Sequence, residues 1–468
     1  MNPTTRVAES RGELPDGGPD PATPRGEVAF PTALAPVAEP ERLPSVDVLR
    51  GVAVLGILLL NIVGMAMPDP AYWDPSGWGG DDGWNLRVWW INNVCFEGTM
   101  RALFSLLFGA GVLLFTGKGE AKGAGLSVAD AWYRRTIWLF LFGLVHAYVL
   151  LWPGEILYAY GLMGMFLFPF RHASARRLAL LGTALLLAGA ALALYESRQA
   201  LTLHAQATAA DALEARGEDV PPELEKAREE WQAKAELMQP PPEAREEAVA
   251  AMQGGFFSAM RYRAGLTYWI HSEFHYRYAY FDVLSFMFIG MALFRWRIVQ
   301  AERPGRWYGL MILIGYGLGI PLNWYETATS AASGFSLVTF YQMSVTYDLG
   351  RLLMVTGHIG VVMLLCRSGL LPGLRTGLAA VGRMALTNYL LQTVITTTLF
   401  VGFAQFGQWQ RYELYALVLA IWAFQMVLSP LWLRRYHFGP MEWLWRSLIY
   451  LRAQPFRRSL AGRGECLA

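Results

Sequence analysis

The sequence is poor in charge. Of its 468 residues only 16% are Asp, Glu, Lys or Arg, where a soluble globular protein carries roughly 25%. The shortage is also uneven: residues 1 to 42 hold 11 charges and residues 197 to 252 hold 18, leaving 47 for the other 370. A disordered, collagenous or soluble all-β chain is thereby excluded, and three soluble domains, which length alone would permit, fit poorly. Cysteine is scarce too. Cys95, Cys366 and Cys466 stand far apart with no CxxC pair, so neither a disulfide framework nor a zinc or other metal site is suggested. No Walker loop, Ser nucleophile elbow, HExxH or dinucleotide fingerprint occurs. With a net charge of only +2, nothing calls for nucleic acid as a partner.

What is abundant is long apolar runs flanked by Arg, with 18 Trp among them. That is the composition of an all-α polytopic membrane protein. Val46 to Met67 is long enough to cross roughly 30 Å of hydrocarbon at about 1.5 Å per residue. Further spans are expected at 97–116, 136–152, 155–170, 177–195, 280–294, 307–325, 348–366, 378–402 and 412–433, making ten transmembrane helices. Lys and Arg accumulate on the cytoplasmic side of short connections. By that rule 117–135, 171–176, 295–306 and 367–377 are inside, while 153–154 and 326–347, free of Lys and Arg, are outside with 68–96 and 403–411. Both termini are then cytoplasmic, in a bacterial inner membrane.

Residues 1–41 read as a disordered tail rather than a signal peptide, and 451–468 as a basic cytoplasmic tail. Between them the membrane domain divides into 42–196, with helices 1–5, and 280–450, with helices 6–10. The segment 197–279 is a periplasmic helical insertion. Its charged stretch ELEKAREEWQAKAELM has ordinary i,i+4 pairing and reads as a spacer. Residues 253–279 interleave aromatics with Arg and His, the pattern of an interfacial belt or, second, of a loop covering a site.

An ionisable group in the middle of a span costs about 2.5 to 3.5 kcal/mol on insertion scales, so each such residue needs a reason. Asp47 and Arg50 lie three apart on one face at the start of the first span. They suit an anionic ligand near the cytoplasm, or a neutralised pair with a snorkelling Arg. His146 sits in an apolar stretch in the outer half of the third span. Glu155 follows nine residues later, after Pro153-Gly154, and a tight turn there would bring its carboxylate towards the imidazole, fixing the tautomer and favouring the protonated form. The pair is the candidate catalytic site, the alternative being a hydrogen-bonded core histidine. Gly109, Ala110 and Gly111 permit close helix approach. Asp348 with Arg351, Asn388 with Gln392, and Glu442 with Arg446 are interhelical polar contacts or, for the first two pairs, substrate-binding residues.

Taken in order, RLPSVDVLRGVAVLGILLLNI, FSLLFGAGV, GLVHAYVLLWPGEILYAYG, VGRMALTNYLLQT and FGPMEWLWRSLIY resemble the motifs of YeiB-like bacterial membrane proteins (domain of unknown function 418) over about 42–450. That family is distantly similar to the transmembrane acyltransferase superfamily, which includes acyltransferase-3 sugar O-acetylases and the lysosomal heparan glucosaminide acetyltransferase. The resemblance implies a shared helical core, acyl-CoA used on the cytoplasmic side, and an intramembrane His that helps move the acyl group to an acceptor. It carries the family's Asp-x-x-Arg-Gly onto Asp47, Arg50 and Gly51, and its His before the turn onto His146. One departure is Gly154-Glu155-Ile156-Leu157 where the family commonly has Gly-Asp-Ile-Leu; the longer side chain moves the charge by about one bond.

The expectation is a membrane-embedded acyltransferase taking an acyl-CoA donor and a small-molecule, glycan or lipid acceptor, with membrane lipids as its surroundings. His146 would be general base or acyl carrier, Glu155 would orient it, and Arg50 would hold a donor phosphate. The alternative is a transporter or exporter of a small polar or lipidic solute, using the same groups as binding site or proton relay. Oligomeric state is left open, a homodimer included.

Overall fold

The computed structural model describes residues 42–121 and 123–458 and, among them, is helical without a β-sheet. The expectations for the tail 1–41, Cys466 and the last part of the basic tail lie outside the described residues. The helices are α1 (Pro44–Ala66), α2 (Gly83–Cys95), α3 (Thr99–Ala121), α4 (Leu126–Tyr148), α5 (Leu157–Leu167), α6 (Ala175–Ala215), α7 (Pro222–Met238), α8 (Pro242–Gln253), α9 (Phe256–Trp269), α10 (Tyr280–Arg295), α11 (Gly305–Ala332), α12 (Leu337–Met343), α13 (Tyr347–Ser368), α14 (Pro372–Arg383), α15 (Ala385–Thr397), α16 (Arg411–Arg435) and α17 (Pro440–Ile449). Five stretches are long and apolar enough to cross a membrane: α1, α2 with α3, α6, α13 and α16. The number rises to seven if the bent pairs α9 with α10 and α14 with α15 each count as one span. The chain is thus a multi-pass helical membrane protein by length and composition.

Helix α1 is the axis of the molecule. Pro44 in its first turn lacks an N–H that would have no intrahelical acceptor there anyway, so it starts the helix without cost. Beyond Arg50 the helix is apolar almost all round, and α1 is buried by α3, α13, α14, α15 and α16. Its contact with α14 is backbone to backbone: a Cβ on Gly51 would lie 2.0 Å from the carbonyl oxygen of Leu378. The glycine of the Asp-x-x-Arg-Gly motif is therefore a packing residue. Gly109 does the same for α3 against α10, where a Cβ would meet the Met287 carbonyl oxygen at 1.9 Å, as the glycine-rich sequence leads one to expect.

Four stretches differ from the sequence reading. The expected span 378–402 is two helices, α14 and α15, bent by 83° at a break. The cause is remote in sequence: the Glu442 carboxylate on α17 accepts the N–H groups of Leu386 at 2.7 Å and Thr387 at 3.0 Å, capping a new helix start inside the run. The division at 196/197 falls inside α6, whose 41 residues extend about 62 Å at 1.5 Å per residue, roughly twice the hydrocarbon thickness. Nothing between 196 and 215 breaks a helix, and Gly217, at φ +71, ends the turn that follows. Finally, 155–170 is only α5 plus the short 3-10 turn Phe168–His172, and the connection 68–96 contains α2.

Candidate functional site

Helix α4 ends at Tyr148, and the chain reverses through Leu151, Trp152, Pro153 and Gly154 into α5, which packs back against α4. The reversal delivers Glu155 to the head of α5. Its Oε2 accepts the N–H of Leu157 at 2.6 Å, and its Oε1 accepts that of Tyr158 at 3.0 Å. Two otherwise unpaired helix N–H groups and the positive end of the helix dipole hold this carboxylate, which is 2% exposed.

His146 and Glu155 are brought together as the Pro-Gly turn leads one to expect. His146 is fully buried, and its Nδ1 lies 3.9 Å from Oε2 of Glu155. The opposite nitrogen, Nε2, is 2.8 Å from Oγ1 of Thr393 on α15, and Tyr389 stands edge-on to the ring with centroids 4.9 Å apart. A second imidazole faces the same carboxylate. His271 lies in the π-helical segment Ile270–Ala279 between α9 and α10, with Nε2 3.6 Å from Oε1 of Glu155. Its ring stacks on Tyr158 at 4.0 Å and 4°. His275, one turn on and also buried, closes its Nδ1 on the Ile270 carbonyl oxygen at 2.6 Å. The segment 253–279 thus packs two of its histidines against Glu155 and Tyr158.

The gaps carry chemical meaning. Separations of 3.6 and 3.9 Å are too long for direct hydrogen bonds. Nδ1 of His146 and both ring nitrogens of His271 are buried without a hydrogen-bond partner. Buried polar atoms are nearly always paired, with protein groups or with water.

A second buried group lies along α3, α10 and α13. Asp282 sits between Arg101, at 2.9 Å, and Arg351, at 3.1 Å, and Arg351 also pairs with Asp348. Glu97 accepts the hydroxyls of Tyr347 at 2.7 Å and Tyr72 at 3.3 Å. Helix α5 joins this group to the first: Tyr158 meets His271, and Tyr160 donates to the Arg101 carbonyl oxygen at 3.0 Å. Asp348 and Arg351 are thus together but outside the histidine cluster. Asn388 and Gln392 form a polar ladder instead. Asn388 donates to Val381 and Ser429, and Gln392 to the Val54 carbonyl oxygen and Gln425, tying α15 to α14, α16 and α1. Asp47 and Arg50 pair with each other at 3.0 Å at the N-terminal end of α1. A cavity of about 590 Å³ opens between Leu43, Leu113, Glu120, Arg171, Arg295 and Gln300; neither Arg50 nor His146 lines it.

His271, His275, Thr393, Arg101 and Asp282 are additions to the sequence reading. For Arg101 and Asp282 the signal was present, since both are charges inside expected spans. For the histidines it was their four-residue spacing, which places them near one helix face.

A family model described as protein of unknown function (DUF418) matches residues 293–452, from the end of α10 through α17. Similarity to whole proteins reaches much further. The uncharacterized protein YeiB of Escherichia coli (strain K12) is 29% identical over 430 residues, covering 89% of this chain and 98% of the relative. The uncharacterized protein YxaH of Bacillus subtilis (strain 168) is 26% identical over 450 residues, covering 91% and 99%. Over 293–452 the chain is similar to the DUF418 family, and over about nine-tenths of its length to these YeiB-like proteins. The similarity to these YeiB-like proteins runs nearly end to end, whereas the family model itself takes in Asp348, Arg351, Asn388, Gln392, Glu442 and Arg446 but not His146 or Glu155. No solved structure matches the chain.

Proposed function

We propose that this YeiB-like protein is a membrane-embedded acyltransferase that moves an acyl group from a cytoplasmic acyl-CoA-type donor to a hydroxyl or amine acceptor in or across the membrane. The observation that carries this reading is the seat between His146 and Glu155. A hydroxyl or amine placed about 2.8 Å from both Nδ1 and Oε2 forms the apex of a triangle on their 3.9 Å base. When Nε2 of His146 donates to Thr393, Nδ1 is the free base. It takes the proton as the acceptor oxygen or nitrogen attacks the thioester carbonyl. The C–S bond then breaks, and the proton passes to the leaving thiolate. Glu155 stabilises the imidazolium formed in between, and Arg50 holds a donor phosphate.

The reading needs a fixed orientation. Ten spans with both termini cytoplasmic, in the bacterial inner membrane, follow from the alternation of Arg-rich and Arg-free connections. They place Arg50 at the cytoplasmic face, the histidine cluster in the outer half, and the outer part of α6 with α7 and α8 in the periplasm.

A transporter of a small polar or lipidic solute is the second reading. It is favoured by the buried charges Arg101, Asp282, Arg351 and Asp348, a group of the kind that forms ion or solute pathways. Membranes containing the protein, incubated with labelled acyl-CoAs, should pass label to lipid or glycan extracts. No transfer from any acyl-CoA, combined with solute accumulation in sealed vesicles, would replace the enzyme reading with transport.

A further inference from the structure

We propose that Arg50, Arg135 and Arg446 form a binding site for a phosphate-bearing ligand where α4 and α17 pack together near the start of α1. Three guanidiniums converge there with too few carboxylates to neutralise them. Asp47 pairs with Arg50 at 3.0 Å. Glu442, the only acid on α17, is committed elsewhere: Oε1 to the Leu386 and Thr387 N–H groups, Oε2 to the Thr387 hydroxyl at 2.5 Å. Among the described residues, neither Arg135 nor Arg446 has a carboxylate within 4.0 Å. Each lies over an aromatic ring instead. Arg135 is 4.0 Å from the centre of Trp445, whose indole N–H donates to the Arg135 carbonyl oxygen at 3.0 Å, and Arg446 is 4.7 Å from the centre of Phe438. Such rings hold a guanidinium plane in place while leaving its N–H edge free for a planar or tetrahedral oxyanion.

The electrostatics run in the same direction. Burial comes first and the charges of Arg446 and Arg50 second in disfavouring the Arg135 cation; burial is also the largest influence on Arg446, where Tyr450 and Glu442 partly offset it and Arg50 adds a smaller like-charge penalty. A bound anion would relieve both. Bidentate pairing of guanidinium with phosphate is the strongest hydrogen-bonded form of that relief.

Position adds a further link. Arg135 and His146 lie on the same helix, eleven residues apart, hence on one face and separated by about 16 Å. The extended pantetheine arm of coenzyme A can bridge such a distance. The site deepens the donor role proposed for Arg50. Its phosphate chemistry is shared by two sources, a soluble diphosphate-bearing donor and an anionic phospholipid headgroup of the inner leaflet.

The test reads binding alone and so stands or falls apart from acyl transfer. Purified full-length protein is titrated with inorganic diphosphate and with coenzyme A, and its co-purified phosphatidylglycerol is measured in parallel. Wild type should bind at least one of these probes, and Arg135→Gln or Arg446→Gln should weaken that binding roughly tenfold or more. Loss confined to diphosphate and coenzyme A identifies the soluble source; loss confined to phosphatidylglycerol identifies the lipid. Should a Gln variant fail to fold, Arg446→Lys keeps the charge but not the bidentate fork, and should still weaken binding several-fold. No binding by wild type, or equal binding by the variants, would overturn the proposal.

Discussion

Glu155 has two separable jobs, and two substitutions distinguish them. Its Oε2 accepts the Leu157 and Tyr158 N–H groups at 2.6 and 3.2 Å, while Oε1 also faces His271 at 3.6 Å. In Glu155→Gln an amide oxygen in the Oε2 position keeps the Leu157 N–H and the longer Tyr158 contact, while the amide nitrogen takes the Oε1 position, losing the 3.0 Å bond from Tyr158 but facing an unpaired His271 ring nitrogen. The change should cost about 1 kcal/mol of stability, the difference between a charged and a neutral acceptor. Glu155→Ala leaves both N–H groups buried and unpaired, and should cost about 2 to 4 kcal/mol. Activity should follow charge rather than the cap. Without a carboxylate the imidazolium of His146 is not stabilised, so Glu155→Gln should lose roughly 10-fold to 100-fold in transfer rate, less than loss of the base itself, which is worth on the order of 10² to 10⁴. Thermal unfolding of the purified variants, with single-turnover transfer of a labelled acyl group, reads both quantities. Equal destabilisation by Gln and Ala would refute the capping geometry, and wild-type transfer by Glu155→Gln would remove the carboxylate from the chemistry.

Substituted cysteines in 326–347 and 210–240 should react with a membrane-impermeant reagent in intact cells and those in 123–130 should not; the reverse pattern would invert every assignment of side. Gly109→Leu should sharply lower the yield of folded protein, because its side chain would have to displace the Met287 carbonyl, whereas Gly111→Leu, with nothing within 4 Å of its Cβ, should be tolerated. Equal yields would mean that α3 and α10 do not pack as described.

The legible part of the site is the part made by neighbours in sequence. Glu155 lies nine positions after His146, across a Pro-Gly turn, and few geometries are open to so short a reversal. His271 was not legible as a partner because it arrives 116 residues after Glu155, through a π-helical register that local sequence does not announce. The same distinction holds for the fold. Apolar runs marked α1, α3, α13 and α16 because hydrophobicity is a local property. The break between α14 and α15 depends on a cap from Glu442, more than fifty residues away, and the run 378–402 carries no Pro to reveal it. Asn388 and Gln392 show the limit of residue type as a guide. Intramembrane amides suit a ligand or a neighbouring helix equally well, and here their partners are carbonyl, amide and hydroxyl groups of the surrounding helices.

The central claim is that an unprotonated nitrogen of His146 does the work. His146→Gln preserves polarity and approximate volume and can still hydrogen-bond Thr393, but it cannot take up a proton near neutral pH. The decisive measurement is the transfer of labelled acyl groups from acyl-CoA to lipid and glycan extracts by membranes containing equal, correctly assembled amounts of wild type and His146→Gln. The account predicts transfer by wild type and a loss on the order of 10² to 10⁴ in the variant. Equal transfer by the two would make His146 a packing residue and contradict the account.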